Sequence, residues 1–224
     1  MQSPQYYGFL EAALRAGISK EAGDYSGYPE LVGPYGMMQH PREVAELLSR
    51  LAPMAPKSLV EIGTGLGGFA RLLIEQLPLR DVWVIDPLKT RRDLTVLQEN
   101  QRVSGSLLRE RGGEFHFLSC GSQAPEATES VTAVDVVVVD GNHSYRAVVL
   151  DLLCWWSKLR SGGVMIIHDW TLTSVYRAIH DVFSRTATQN YQILADGQLG
   201  CGYWVASIIK SNGSENVNRS LRNP

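Results

Sequence analysis

The sequence predicts an α/β fold, an open and mostly parallel sheet with helices on both faces. Apolar segments of strand length alternate with segments of helical periodicity, and such alternation is typical of a parallel sheet. A glycine-rich turn separates the first of these strands from the helix that follows it. A chain of 224 residues, 44% of them hydrophobic, is long enough to bury one core of this kind.

The N-terminal part is predicted to contain two helices separated by a loop. Ser3 and Pro4 precede a segment of helical character over residues 6–16, which they cap. Residues 23–36 are rich in Gly, Tyr and Pro, which indicates a loop. Residues 41–51 place apolar side chains at helical spacing.

The alternating elements follow in order along the rest of the chain. Predicted strands cover residues 58–62, 81–86, 114–119, 134–140 and 164–169. Predicted helices cover residues 68–77, 91–111, 144–159 and 171–184. Two last strands, 191–194 and 203–209, are joined only by the short turn 196–202, which permits an antiparallel hairpin and is too short for a crossover.

Composition excludes several classes of protein. With 21 basic and 23 acidic residues, the net charge of −2 does not predict the basic surface of a nucleic-acid-binding protein. There is no basic region followed by an apolar core at the N-terminus and no apolar run of the roughly 18 residues that a membrane span requires. Three widely spaced cysteines predict neither disulfides nor a zinc site. We expect a cytoplasmic protein that acts on a small molecule.

The segment from Glu61 to Gly68 is a ligand-binding turn between a strand and a helix. Glycines there allow a tight turn and let a ligand approach the backbone. The spacing of Gly63, Gly65 and Gly68, with Asp86 at the end of the next strand, also fits a dinucleotide site. Glu61 favours another ligand, because a carboxylate would repel a pyrophosphate at the helix N-terminus. It suits a ligand with an ammonium group, such as S-adenosylmethionine.

Carboxylates stand at the ends of four predicted strands. Glu61, Asp86, Asp140 and Asp169 each follow an apolar run. Ligands of open α/β sheets bind outside the carboxyl ends of the strands. One such acid could be a helix cap, but acids on four strands predict one shared crevice.

The pattern Glu61-x-Gly63-x-Gly65-x-Gly67 resembles motif I of the class I S-adenosylmethionine-dependent methyltransferases. The resemblance extends from about Pro41 to Ile209. It implies a Rossmann-like sheet with strand order 3-2-1-4-5-7-6, in which the last pair is an antiparallel hairpin. Glu61 would face the methionine ammonium, Asp86 the ribose hydroxyls, and the turn after the third strand the adenine. The cofactor-binding residues that it implies are Glu61, Gly63, Thr64, Gly65, Gly67, Asp86, Gly121, Ser122 and Asp140.

The resemblance also divides the chain into three parts. Residues 1–40 would form an N-terminal helix and a lid, 41–210 the S-adenosylmethionine-binding domain, and 211–224 a polar, disordered tail. Acceptor contacts are expected within the lid, from among Tyr28, Tyr35, Met37, Met38 and Gln39. Apolar residues near the start of the first helix, namely Tyr6, Tyr7, Phe9 and Leu10, suggest an exposed face that could pack across a homodimer.

A second motif, Asp140-Gly141-Asn142-His143 with a later His168-Asp169 pair, resembles the metal-dependent O-methyltransferases of sugar and polyketide hydroxyls. Catechol-type enzymes are similar to it as well, though less closely. In these relatives an acid after the fourth strand and two residues after the fifth hold a magnesium ion, which corresponds here to Asp140, His168 and Asp169. His168 departs from the pattern, because the sugar-modifying relatives carry a carboxylate there. Magnesium prefers oxygen ligands, whereas Mn²⁺ and Fe²⁺ tolerate nitrogen.

His143 is the candidate general base, with Asp140 beside it. It precedes a predicted helix, where the dipole favours the neutral imidazole that a base requires. Alternatives remain for these residues: Asp140 could cap that helix, and His168 could be a buried, hydrogen-bonded core histidine.

The expected activity is methyl transfer from S-adenosylmethionine to a hydroxyl of a small, natural-product-type molecule, with a divalent ion, Mg²⁺ or Mn²⁺, lowering the pKa of the acceptor. Two alternatives stay open. The Asp-Gly-x-His arrangement is similar to that of the cephalosporin-hydroxylase group, which suggests a methyltransferase fold without methyl transfer. The glycine spacing alone would also fit an NAD-dependent oxidoreductase.

Overall fold

The computed structural model describes residues 3–16, 35–37, 39–88, 94–185, 191–196 and 205–210. The helices are α1 (Pro4–Ala16), α2 (Pro41–Leu51), α3 (Gly68–Gln76), α4 (Thr95–Glu110), α5 (Pro125–Thr128), α6 (Tyr145–Lys158) and α7 (Thr173–Arg185). The strands are β1 (Ser58–Ile62), β2 (Asp81–Ile85), β3 (Glu114–Leu118), β4 (Val134–Val139), β5 (Leu159–His168), β6 (Tyr191–Asp196) and β7 (Val205–Lys210). The predicted α/β fold with a mostly parallel sheet is confirmed.

The strands form one sheet in the order β3-β2-β1-β4-β5-β7-β6. β1 pairs in parallel with β2 and β4, β2 with β3, and β4 with β5. β7 is antiparallel to both β5 and β6. The carboxyl ends of β1 to β5 therefore meet at one edge of the sheet. After β3 the chain returns to place β4 beside β1, so the strand order reverses between β1 and β4.

Alternating side chains of the parallel strands fill two cores, one on each face of the sheet. Leu59 of β1 and Val136 of β4 contribute to the core that is covered by α1, α2 and α3. Val60 and Val137, the next residues along the same strands, contribute to the core under α6 and α7. Both faces of these strands are buried, which explains why they are almost continuously apolar.

Strand β5 starts earlier than the sequence predicts, at Leu159 rather than residue 164. The Ser161-Gly162-Gly163 segment indicates a turn, yet Leu159 pairs with Val134, and the register between β4 and β5 shifts before Val136. A bulge of this kind absorbs the glycines without ending the strand. Helix α5 was not predicted, because Pro125–Thr128 is too short to show a helical period.

Helix α1 buries more of its apolar side chains against α2 and α3 of the same chain than the sequence suggests. Tyr6 and Phe9 are each only 7% exposed and lie in the core beside α2 and α3, whereas Tyr7 is 59% exposed. Much of the apolar face expected at a dimer interface is thus used within the chain, and the homodimer stays a prediction. Among the described residues, no helix has the length and apolar character to span a membrane.

Several predictions fall outside the described residues. These concern the lid residues Tyr28 and Met38, the first three residues of the predicted helix 91–111, the hairpin turn, and the tail 211–224.

Candidate functional site

A cavity of about 620 Å³ opens at the carboxyl ends of the parallel strands. This volume is within the range of sites for small molecules and cofactors. Most residues that the sequence predicts for the site line it: Gly63, Thr64, Gly65, Asp86, Gly121, Ser122, Asp140, His143, His168 and Asp169. Glu61 and Gly67 do not.

The glycine-rich turn is shaped by close backbone contacts. Gly63 has φ +82°, and a Cβ at this position would lie 2.3 Å from the carbonyl oxygen of Asp140. Only glycine therefore allows the turn after β1 to touch the turn after β4. Gly67, with φ +78°, packs on Leu97 and Asn100. It serves the conformation of the turn and is not part of the cavity wall.

Gly63→Ala is therefore expected to destabilise the protein by at least about 2 kcal/mol, since it combines a left-handed backbone conformation with steric overlap in the core of the site. Urea unfolding checks this value. Gly121→Ala is the matched control, because a Cβ there meets nothing within 4 Å and its free energy of unfolding should change little. An equal effect of the two substitutions would contradict the steric explanation.

Asp86 is held in place by the backbone. Its Oδ2 accepts a hydrogen bond from the Thr64 N–H at 3.1 Å, and its Oδ1 accepts one from the Leu88 N–H at 2.8 Å. These bonds fix the carboxylate at the wall of the cavity and tie the glycine-rich turn to the end of β2. Each oxygen keeps a lone pair that can accept a further hydrogen bond.

Glu61 lies behind the glycine-rich turn and is 1% exposed. Burial raises the pKa of this carboxyl to about 8, which the nearby Thr64 hydroxyl partly offsets. Neither of its oxygens accepts a hydrogen bond in the described part of the protein. Its neighbours Ile62, Gly63 and Thr64 do line the cavity. A buried carboxyl without a partner is costly, and a cation in the cavity would offset that cost.

Four side chains from two segments meet at the carboxyl ends of β4 and β5, and we refer to Asp140, His143, His168 and Asp169 as the His–Asp cluster. One ligand atom from each residue lies within 4.8 Å of all the others. His168 Nδ1 is 3.2 Å from Asp140 Oδ1 and 3.3 Å from Asp169 Oδ2. His143 Nε2 is 3.6 Å and 3.5 Å from the same two oxygens.

The charges of the His–Asp cluster favour protonated imidazoles. Burial opposes a charge on His168, but the carboxylates of Asp140 and Asp169 outweigh it and raise its pKa to about 10. The Asp140 carboxylate, 3.6 Å from Nε2, raises the pKa of His143. Burial raises the pKa of Asp140, but the two histidines and Gln39 outweigh it and lower the pKa. These carboxylates act against the neutral imidazole that the helix dipole would favour, and the neutral state of His143 stays a prediction.

Gly36, Met37 and Gln39, which belong to the predicted lid segment, line part of the cavity. The Tyr35 hydroxyl donates to Glu75, and the Arg71 guanidinium lies 3.6 Å from the centre of the Tyr35 ring. Gln39 donates from Nε2 to Asp140 Oδ2 at 2.5 Å. The sequence placed Gln39 in the lid region without a partner, and the structure shows that partner to be a member of the His–Asp cluster.

Two buried carboxyls near the cavity were not predicted. Glu43 of α2 is 7% exposed, and burial raises its pKa to about 8. Asp151 of α6 is 2% exposed and lines the cavity. Each occupies a position of its helix that is otherwise apolar, in line with Leu47 or Trp155. An acid at such a position is the sequence signal that could have found them.

Comparisons with known proteins agree with this geometry. Residues 60–170 match the family model of a methyltransferase domain. No protein of curated function matches the sequence.

Three solved structures are similar in fold. An rRNA methylase from Streptococcus thermophilus has a TM-score of 0.55 at 12% identity, over 79% of this chain and 99% of that one. A candidate O-methyltransferase from Klebsiella pneumoniae has a TM-score of 0.52 at 15% identity, over 95% and 92%. An O-methyltransferase family protein from Burkholderia thailandensis has a TM-score of 0.50 at 12% identity, over 78% and 57%.

Proposed function

We propose that the chain, whose residues 60–170 match the model of a methyltransferase domain, is a class I S-adenosylmethionine-dependent methyltransferase that methylates a hydroxyl oxygen of a small, natural-product-type molecule. One observation carries the proposal: the glycine-rich turn and the His–Asp cluster line the same cavity. A cofactor on the turn would thus have an acid–base group and a set of metal ligands beside it.

The residues present fit S-adenosylmethionine. The unpartnered Glu61 carboxyl behind the turn matches a cationic amino acid moiety, and Asp86 at the cavity wall can accept from ribose hydroxyls. When bound, the cofactor supplies an electrophilic methyl group on a sulfonium. The chain's part is to hold the acceptor in line with that methyl and to remove the proton of its hydroxyl.

The His–Asp cluster also fits a divalent ion. Asp140, His168 and Asp169 would hold it, as the resemblance implies, and their converging donor atoms are the observation that supports this assignment. Such an ion supplies Lewis-acid activation of the acceptor oxygen. An imidazole in the set favours Mn²⁺ or Fe²⁺ over Mg²⁺.

His143 takes the proton of the acceptor hydroxyl in this proposal. Its side chain is 34% accessible and lines the cavity, so an acceptor can reach it. The carboxylates of Asp140 and Asp169 raise the pKa of His143 and so favour the imidazolium. A divalent ion bound by these carboxylates would offset their negative charge and favour the neutral imidazole. A bound cofactor would supply the methyl group from its sulfonium and leave as S-adenosylhomocysteine, and His143 would hold the proton that the acceptor hydroxyl loses.

Product analysis tests the proposal directly. The protein is incubated with S-adenosylmethionine, Mn²⁺ and a panel of phenolic and sugar hydroxyl compounds, and S-adenosylhomocysteine and methylated product are quantified by mass spectrometry. Equal amounts of the two are expected for at least one acceptor. Cofactor binding without any methylated product would favour the alternative without methyl transfer. A melting temperature raised by NAD and not by S-adenosylmethionine would overturn the cofactor assignment.

The metal has a separate test. His168→Glu is expected to shift the ratio of Mg²⁺ to Mn²⁺ affinity by roughly tenfold towards Mg²⁺, because it replaces an imidazole with an oxygen ligand. Calorimetric titration of each ion into cofactor-free protein measures this ratio. Unchanged preference would argue against His168 as a ligand. Full methyl transfer after dialysis against a chelator would remove the ion from the proposal altogether.

The fold similarity to an rRNA methylase does not support an RNA substrate. At 12% identity it shows the fold alone. The net charge of −2 gives no sign of the basic surface that binds a phosphate backbone.

A further inference from the structure

The most informative group that the proposed mechanism leaves unused is Asp151. It lies on α6, one helical turn before Trp155, and its carboxyl is buried at the wall of the cavity beside Ser122 and Gln123. Burial raises the pKa of this carboxyl, partly offset by these two neighbours. A buried acid costs stability unless hydrogen bonds compensate it, and the bonds to Asp151 from the described residues reach only one of its two oxygens.

The contacts of Asp151 leave one of its oxygens available. The Ser122 hydroxyl donates to Oδ1 at 2.5 Å, and the Gln123 side-chain amide donates to the same atom. Trp155 Nε1 donates to the Ser122 carbonyl at 3.2 Å, which fixes the turn after β3 against α6. Oδ2 accepts no hydrogen bond from any residue that the structure describes.

We propose that Asp151 Oδ2 accepts a hydrogen bond from the exocyclic amino group of the cofactor's adenine and thereby selects adenine over 6-oxopurines. The inference rests on the proposed cofactor. Asp86 and the glycine-rich turn are assigned to the ribose and the amino acid moiety, and Ser122, Gln123 and Asp151 line a further part of the cavity wall, at the turn where the resemblance places the adenine. The cofactor consists of an amino acid moiety, a ribose and an adenine. The only strong hydrogen-bond donor of the adenine is its exocyclic amino group, and a single acceptor such as Asp151 Oδ2 can bind it.

The chemistry of the carboxylate explains the selectivity. The amino group donates a hydrogen bond to Oδ2, whereas the carbonyl oxygen of hypoxanthine would face it acceptor to acceptor. A buried acceptor that faces another acceptor makes no hydrogen bond, and no water replaces that bond, so the free energy of binding becomes less favourable. Ile85 and Pro87, which also line the cavity, can contact the faces of a purine but cannot tell the two rings apart.

Calorimetry with two product analogues tests this inference. S-adenosylhomocysteine is expected to bind the unaltered protein at least about tenfold more tightly than S-inosylhomocysteine, which carries an oxygen in place of the amino group. Asp151→Asn should weaken S-adenosylhomocysteine binding roughly tenfold and abolish or reverse the preference, because its amide can donate to the inosyl oxygen.

Ser122→Ala separates recognition from a structural role. It removes a donor to Oδ1 and keeps Oδ2, so the preference for the adenosyl compound should persist whatever the absolute affinity. Equal losses of both ligands in Asp151→Asn would overturn the inference and leave the cofactor assignment intact. The inference also fails if the unaltered protein binds both analogues equally, a measurement that does not depend on the variant folding. Failure to bind S-adenosylhomocysteine at all would instead reject the proposed function.

Discussion

His143→Ala is expected to lower kcat about 100-fold or more while the dissociation constant of S-adenosylhomocysteine changes less than about twofold. The imidazole lies in the His–Asp cluster and, in the proposed function, would accept the proton of the acceptor hydroxyl, a role that matters only when the bond to the methyl group forms. Initial rates with an acceptor from the panel and calorimetry with the product measure the two quantities.

Controls distinguish proton transfer from a general effect on the fold. His143→Gln keeps a polar side chain of similar reach and should be as inactive as the alanine variant. His116→Ala alters a histidine of β3 that does not line the cavity and should retain the activity of the unaltered protein. Added imidazole should restore part of the rate to the alanine variant alone. Lost cofactor binding in either His143 variant would contradict the assignment.

Glu61→Gln is expected to weaken S-adenosylhomocysteine binding by roughly tenfold or more, since it removes the negative charge that we propose to interact with the ammonium of the ligand. The same substitution should stabilise the ligand-free protein above pH 8. Burial raises the pKa of Glu61 from 4.5 to about 8 in the folded state. The unfolded chain loses this proton above pH 4.5, so the free energy of unfolding declines as pH rises from about 4.5 to 8, by on the order of a few kcal/mol. Glutamine cannot ionise and abolishes that decline.

Urea unfolding at pH 5 and pH 8, with and without S-adenosylhomocysteine, measures both effects. Glu43→Gln is the matched control, because burial raises the pKa of Glu43 to about 8 as well but the residue lies on α2 beside His168. Glu43→Gln should raise the free energy of unfolding at pH 8 more than at pH 5, as Glu61→Gln does. It should leave the affinity for S-adenosylhomocysteine unchanged. Undiminished affinity in Glu61→Gln would remove the electrostatic basis of the cofactor assignment.

Local pattern was enough to predict the layout of the parallel sheet. Strands buried on both faces are continuously apolar, and glycines and acids follow them, so Glu61, Asp86, Asp140 and Asp169 could be assigned to strand ends. Because parallel strands end at one edge, those assignments also brought Asp140 and Asp169 together. The start of β5 was missed since a bulge, which depends on pairing with β4, accommodates glycines that otherwise indicate a turn.

Periodicity and strand ends are local properties of the chain, so the amino-acid pattern was sufficient to predict the parallel sheet, the glycine-rich turn and the acids at the edge of the sheet. Only the tertiary structure decided that Gln39 donates to Asp140 and that Asp151 lies against Ser122, since these contacts join residues far apart in sequence. The direction of the His143 pKa shift is likewise a property of the folded chain. Burial and neighbouring charge set a pKa, and both exist only once the chain has folded.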